Sequence, residues 1–187
     1  MIRFLKRNKI FSILLILTFI SLLIGVFFYA KLDINSREVV FNNIHNLLNT
    51  NIKITDYLIK DLIPLIIIWI LGISIIGIIL VPLIYCYYVF IFIFDTCAMI
   101  SCFGLSSIIS ILIYMLPTLI LLISLFFLSF YSICFSTYIF RYIFMHKSFS
   151  FSSIIKRYYL VFIFTFIGFI SSVIFRYLIT FITPKLF

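Results

Sequence analysis

Two formal charges stand in otherwise apolar surroundings, Asp95 and Arg176, and they are the side chains with the clearest capacity for chemistry. An acid inside a membrane helix costs about 2.5–3.5 kcal/mol on insertion, which makes it a functional candidate by default. Three roles are open to these charges: an ion pair clamping two helices, an acid bonded to its neighbours with an arginine reaching to headgroups, or a path for an ion or proton. A path calls for several polar groups in register, and the other polar residues of the apolar runs are scattered Ser and Thr. Cys86, Cys97, Cys102 and Cys134 are spaced by 11, 5 and 32 residues, which fits neither a metal site nor an exported disulfide framework. They read as small core fillers. His45 and His146 lack a ligand partner four residues on and read as surface histidines. HExxH, GxSxG, a second intramembrane Asp, a phosphate loop and a dinucleotide fingerprint are all missing. The expectation is a non-enzymatic chain with no cofactor and no metal.

The elements that carry these residues follow from composition. Of 187 residues 66% are hydrophobic and 10% charged, far from the roughly 25% charged residues that wrap a soluble core. The expected solvent is lipid. A net charge of +9 on such a chain points to anionic headgroups and to membrane orientation, not to nucleic acid. Arg3, Lys6, Arg7 and Lys9 precede an uncharged stretch over 11–30, the pattern of a retained signal anchor, because Phe28 stands where a cleavage site wants a small residue.

The polar segment 32–61, taken with Lys31 at its edge, carries balanced charge, Lys31, Arg37, Lys53 and Lys60 against Asp33, Glu38, Asp56 and Asp61, which suits the outer side. The loop 141–157 holds Arg141, Lys147, Lys156 and Arg157 without an acid, which suits the cytoplasm. Between them, 79 residues from Leu62 to Phe140 hold one formal charge, Asp95. A chain outside at 61 and inside at 141 crosses an odd number of times, and three crossings fit that length.

The predicted fold is therefore all-α, a polytopic membrane bundle of about five helices with the N-terminus in and the C-terminus out. After a basic cytoplasmic terminus (1–10), the spans are 11–31, 62–82, 83–103, 105–140 and 158–180, within a core covering 62–187. The boundaries rest on Pro82 and Gly104, with a helix break at Pro117 because 36 residues of continuous helix (about 54 Å) overshoot a ~30 Å core. Ser21 with Gly25, and Gly168 with Ser172, are small residues four apart that let helices approach closely. In the outer segment Ser36 is placed as an N-cap, and Val40, Ile44 and Leu47 repeat at helical spacing. This short amphipathic helix either lies on the membrane or offers a docking face to an exported partner.

Trp69, Leu71, Gly72, Ile76 and Gly77, followed by Pro82, Gly104 and the pair Leu116 and Pro117, resemble the motif of the stage II sporulation protein M family, and the basic start, single helix, outer segment and apolar block agree with its plan. The resemblance implies an integral protein of the bacterial cytoplasmic membrane without chemistry of its own. In endospore formers such a protein anchors peptidoglycan-cutting partners at the septum during engulfment, raising their concentration beside the wall. Its partners would be membrane lipid and other membrane or wall-associated proteins, peptidoglycan hydrolases above all. The competing class is a small permease, or the membrane subunit of a transporter working with a separate ATPase; for that class Asp95 would be indispensable.

Overall fold

The computed structural model describes residues 9–33, 35–40, 42, 54–104, 108–145 and 151–182. Five long helices account for most of them: α1 (Lys9–Ala30), α2 (Ile54–Gly72), α3 (Gly77–Phe103), α4 (Ile108–Met145) and α5 (Phe151–Ile182). The chain is an all-helical bundle, and α1, α3, α4 and α5 each contain a stretch long and apolar enough to cross a membrane. Helix α2 carries Asp56, Lys60 and Asp61 in its first half, so its uncharged part is only Leu62 to Gly72.

Cross-helix contacts fix the directions. Tyr85 packs on Phe126 and Thr18, while Tyr29 packs on Phe94, so α1 and α3 run together. Ser132 and Ser136 of α4 bond to Ile68 and Gly72 of α2, whereas Arg176 of α5 bonds to Thr118 of α4 and Tyr158 to Ser132. Successive helices therefore alternate in direction, and four of the five, against the five spans expected, are long and apolar enough to cross a membrane. One end of the bundle carries Arg141, Lys156 and Arg157 and is called here the basic end; Asp61 and Arg176 lie toward the other.

Helices α3 and α4 form the centre. α1 packs on α3, α5 packs on α4, and α2 fills the groove over α3, α4 and α5. Leu14, Leu65, Ile68, Val81, Tyr85, Val89, Leu125 and Leu128 build the main core, and Met99, Ile111 and Met115 a second one toward the opposite end. Long apolar side chains such as Phe19, Ile79, Ile109 and Phe164 stay exposed at 60–70% on the outer faces, the inverse of a soluble protein's surface.

Four expectations are corrected. Pro82 does not end a helix: it lies inside α3, and the turn falls nine residues earlier at Ile73–Ile76. Pro117 does not break a helix either, because α4 runs unbroken for 38 residues with Pro117 buried inside it. A proline forfeits one backbone bond and need not end a helix whose neighbours hold it on both sides. Most of the basic loop 141–157 is helical, Arg141 lying in α4 and Lys156 and Arg157 in α5. Ser36 is no N-cap, since residues 35–40 are already helical and the Arg37 N–H bonds to the Asp33 carbonyl. Ile44 and Leu47 lie outside the described residues, and Val40 is half-buried.

Candidate functional site

Trp69, Leu71, Gly72, Ile76 and Gly77 lie at the turn between α2 and α3, whereas Pro82, Gly104, Leu116 and Pro117 lie away from it. A helix leaves its last four carbonyls without partners, and a turn made of Ile73, Ser74, Ile75 and Ile76 supplies few polar groups to meet them. Every one is nonetheless accounted for. The Trp69 carbonyl accepts the Tyr158 hydroxyl at 2.7 Å. The Ile70 carbonyl takes the Ile73 N–H, and the Leu71 carbonyl takes both the N–H and the hydroxyl of Ser74. The Gly72 carbonyl accepts Ser136 Oγ at 2.9 Å, and the same hydroxyl reaches the Ser74 carbonyl at 2.7 Å. On the other side of the turn the N–H groups of Gly77, Ile78, Ile79 and Leu80 bond to carbonyls of Ser74, Ile75 and Ile76.

Ser132 completes the cradle. Its hydroxyl lies 3.0 Å from the Tyr158 oxygen and 3.3 Å from the Ile68 carbonyl, and since Tyr158 gives its own proton to Trp69, the Ser132 proton is shared between these two acceptors. Ser129, Ser132 and Ser136 fall on one stripe of α4 and are fully buried, and Ser132 and Ser136 face α2, where small side chains let the two backbones meet. The Tyr158 ring stacks face to face on Phe135, parallel at 4.6 Å, while the Trp69 ring packs on Phe162.

The glycines of the motif are there for room. A Cβ on Gly72 would collide with the Tyr158 hydroxyl and with Ser132, and one on Gly77 would collide with the Leu71 carbonyl and Ser136 Oγ. Ile76, exposed at 63%, faces out of the bundle just before α3, and Pro82 follows within that helix. Gly104 ends α3 at φ 76°, the left-handed region that favours glycine, with its N–H on the Ile100 carbonyl. Leu116 is exposed and Pro117 buried, one residue from Thr118.

The charges do not pair as their isolation suggested. Arg176 lies 3.1 Å from Asp61 on α2 and touches Thr118 at 3.4 Å. Asp95 is exposed, and no bond or ion pair to it occurs among the described residues. One geometric reason explains the difference: helix α4 separates α3 from α5, which share no contact among the described residues.

Sequence reasoning missed Asp61, Ser132, Ser136 and Tyr158. The serines did leave a signal, since 129, 132 and 136 repeat at i, i+3, i+7, but Asp61 was read as the end of the outer segment. Among the described residues no group of three His, Cys, Asp or Glu could hold a metal. The chain matches no family model, no curated protein and no solved structure.

Proposed function

We propose that this chain is a non-enzymatic membrane scaffold that resembles stage II sporulation protein M. It would sit in the bacterial cytoplasmic membrane with its basic end in the cytoplasm and hold peptidoglycan-remodelling partners at the septal membrane during engulfment. One observation carries the reading. The motif residues Trp69, Leu71, Gly72 and Gly77, with the hydroxyls around them, are spent on bonding and packing a helix turn, so the resemblance lies in a structural device. The orientation rests on the positive-inside rule applied to Lys9, Arg141, Lys156 and Arg157. Partners would meet the outer segment around Val40, Ile44 and Leu47.

The test is co-purification of the tagged full chain from its own membranes, with wall hydrolases as the readout. Changing Val40, Ile44 and Leu47 together to Ser should abolish hydrolase recovery while the protein stays in the membrane. Equal recovery from the variant refutes the docking face, and loss of flux of some solute in an Asp95→Asn variant would move the assignment to transport. Single cysteines at Asn49, His146 and Leu186, in a chain stripped of its native four, check the orientation: only Asn49 and Leu186 should label from outside.

A further inference from the structure

On the face of the bundle where α4 and α5 meet lies a groove of about 290 Å³, open to the surroundings and lined by Ile123, Ser124, Phe127, Val161, Phe164 and Thr165. Its two hydroxyls are already used, Ser124 on the Ile120 carbonyl and Thr165 on the Phe162 carbonyl, so the groove offers hydrocarbon and no free polar group. At Gly168 the helices touch, since a Cβ there would strike Ser124, and this contact bounds the groove on the side away from the basic end. Following the groove the other way leads to charge. Arg157 stands four residues before Val161 on α5, on the stripe that continues through Phe164 and Gly168. On α4 the stripe through Phe127 descends in steps of three and four residues to Arg141. Both arginines are exposed, Lys156 is exposed beside them, and no Asp or Glu occurs anywhere after Asp95.

A greasy slot that ends in unopposed cations matches an amphiphile with a hydrocarbon tail and an anionic head. Along the axes, Arg157 lies about 12 Å from Thr165, within the length of a single leaflet, and Arg141 about 21 Å from Phe127, so Arg157 stands at the mouth of the groove and Arg141 roughly 9 Å further out. We infer that the α4–α5 cleft is a binding site for an anionic phospholipid of the leaflet at the basic end, its phosphate on Arg141 and Arg157 and one acyl chain in the groove. Basic pockets between membrane helices take such headgroups by charge, while a zwitterionic lipid of equal chain length gains only the groove.

The experiment uses the purified full chain, delipidated in mild detergent and titrated with phosphatidylglycerol or phosphatidylcholine of matched chains, with bound lipid counted by native mass spectrometry. Wild type should retain phosphatidylglycerol over phosphatidylcholine, and the double variant Arg141→Gln, Arg157→Gln should lose about five-fold in retention per charge removed. Val161→Trp, which fills the groove from a half-buried position, should lower retention of both lipids. Because the two arginines are exposed, the double variant should keep the elution profile and melting temperature of wild type. Equal retention of the two lipids by wild type, or unchanged retention in the double variant, overturns the site. Displacement of the lipid by an equal concentration of glycerol phosphate would assign a phosphate site instead and equally overturn it.

Discussion

Replacing Gly77 by Ala tests the turn most sharply, because two physical effects predict opposite signs. In an ordinary helix this change stabilises by about 0.5–1 kcal/mol, since alanine loses less conformational freedom on folding. Here the added methyl collides with the Leu71 carbonyl, which is backbone and cannot swing aside, and with Ser136 Oγ. Opening the turn to admit it costs about 1–3 kcal/mol as overpacking. Displacing Ser136 also breaks its bonds to the Gly72 and Ser74 carbonyls. Interhelical bonds of this kind contribute roughly 0.6 kcal/mol each and up to about 1.7. With the alanine gain set against these losses, the net is a loss of about 1–4 kcal/mol. At roughly 2–4 °C per kcal/mol for a chain of this size, Gly77→Ala should melt about 3–15 °C below wild type in detergent, followed by size-exclusion fluorescence after heating. Ser136→Ala alone keeps the space and loses the bonds, so it should cost only about 1–2 kcal/mol. A Gly77→Ala variant that melts at or above the wild-type temperature would refute the close approach on which the turn depends.

Removing one partner of the Asp61–Arg176 pair, with side chains only 13% and 20% exposed, should destabilise by up to about 3 kcal/mol in Asp61→Asn or Arg176→Gln. The double variant should be less harmed than the worse single one, which a double-mutant cycle of melting temperatures would show. Asp95→Asn, at an exposed position with no bonded partner among the described residues, should change stability by less than about 0.5 kcal/mol in the same assay. Ser129→Ala should be neutral or stabilising by up to about 1 kcal/mol, because Ser129 Oγ is buried without a hydrogen-bond partner; a large loss would mean that this hydroxyl bonds something.

How much of this was readable depends on which signal each feature leaves. Hydrophobic runs and the placement of Lys and Arg announced an alternating bundle of five helices, because lipid and charge act on composition alone. The position of the α2–α3 turn was not readable from punctuation. Pro82 looked like a boundary and is not one, while the real turn is three isoleucines and Ser74 between Gly72 and Gly77. The expected start at residue 83 lies six residues beyond the observed start of α3 at Gly77. Asp61 was discounted because three charges in the first half of α2 resembled an outer loop. The cradle needs partners from α2, α4 and α5 at once, and no local pattern states which serine will face which carbonyl.

Helix α2 shows why these parts belong together. Its uncharged stretch from Leu62 to Gly72 rises only about 16 Å, too little to satisfy a ~30 Å hydrocarbon layer unaided. Both of its ends are tied to helices long and apolar enough to cross: Asp61 to Arg176, and the carbonyls of Trp69 and Gly72 to Tyr158 and Ser136. Irregular backbone at membrane depth is tolerated where protein groups meet its polar atoms, and here the last four carbonyls of α2 and the carbonyls of Ser74, Ile75 and Ile76 all accept hydrogen bonds. The same ties argue about function. Alternating access requires one group of helices to rock against another around a fixed site. A rocking α2 would have to break the ion pair at one end and the hydroxyl bonds at the other, each left unsatisfied in an apolar setting. A helix pinned at both ends between α4 and α5 is suited to hold a shape, and holding a shape is what a scaffold is asked to do.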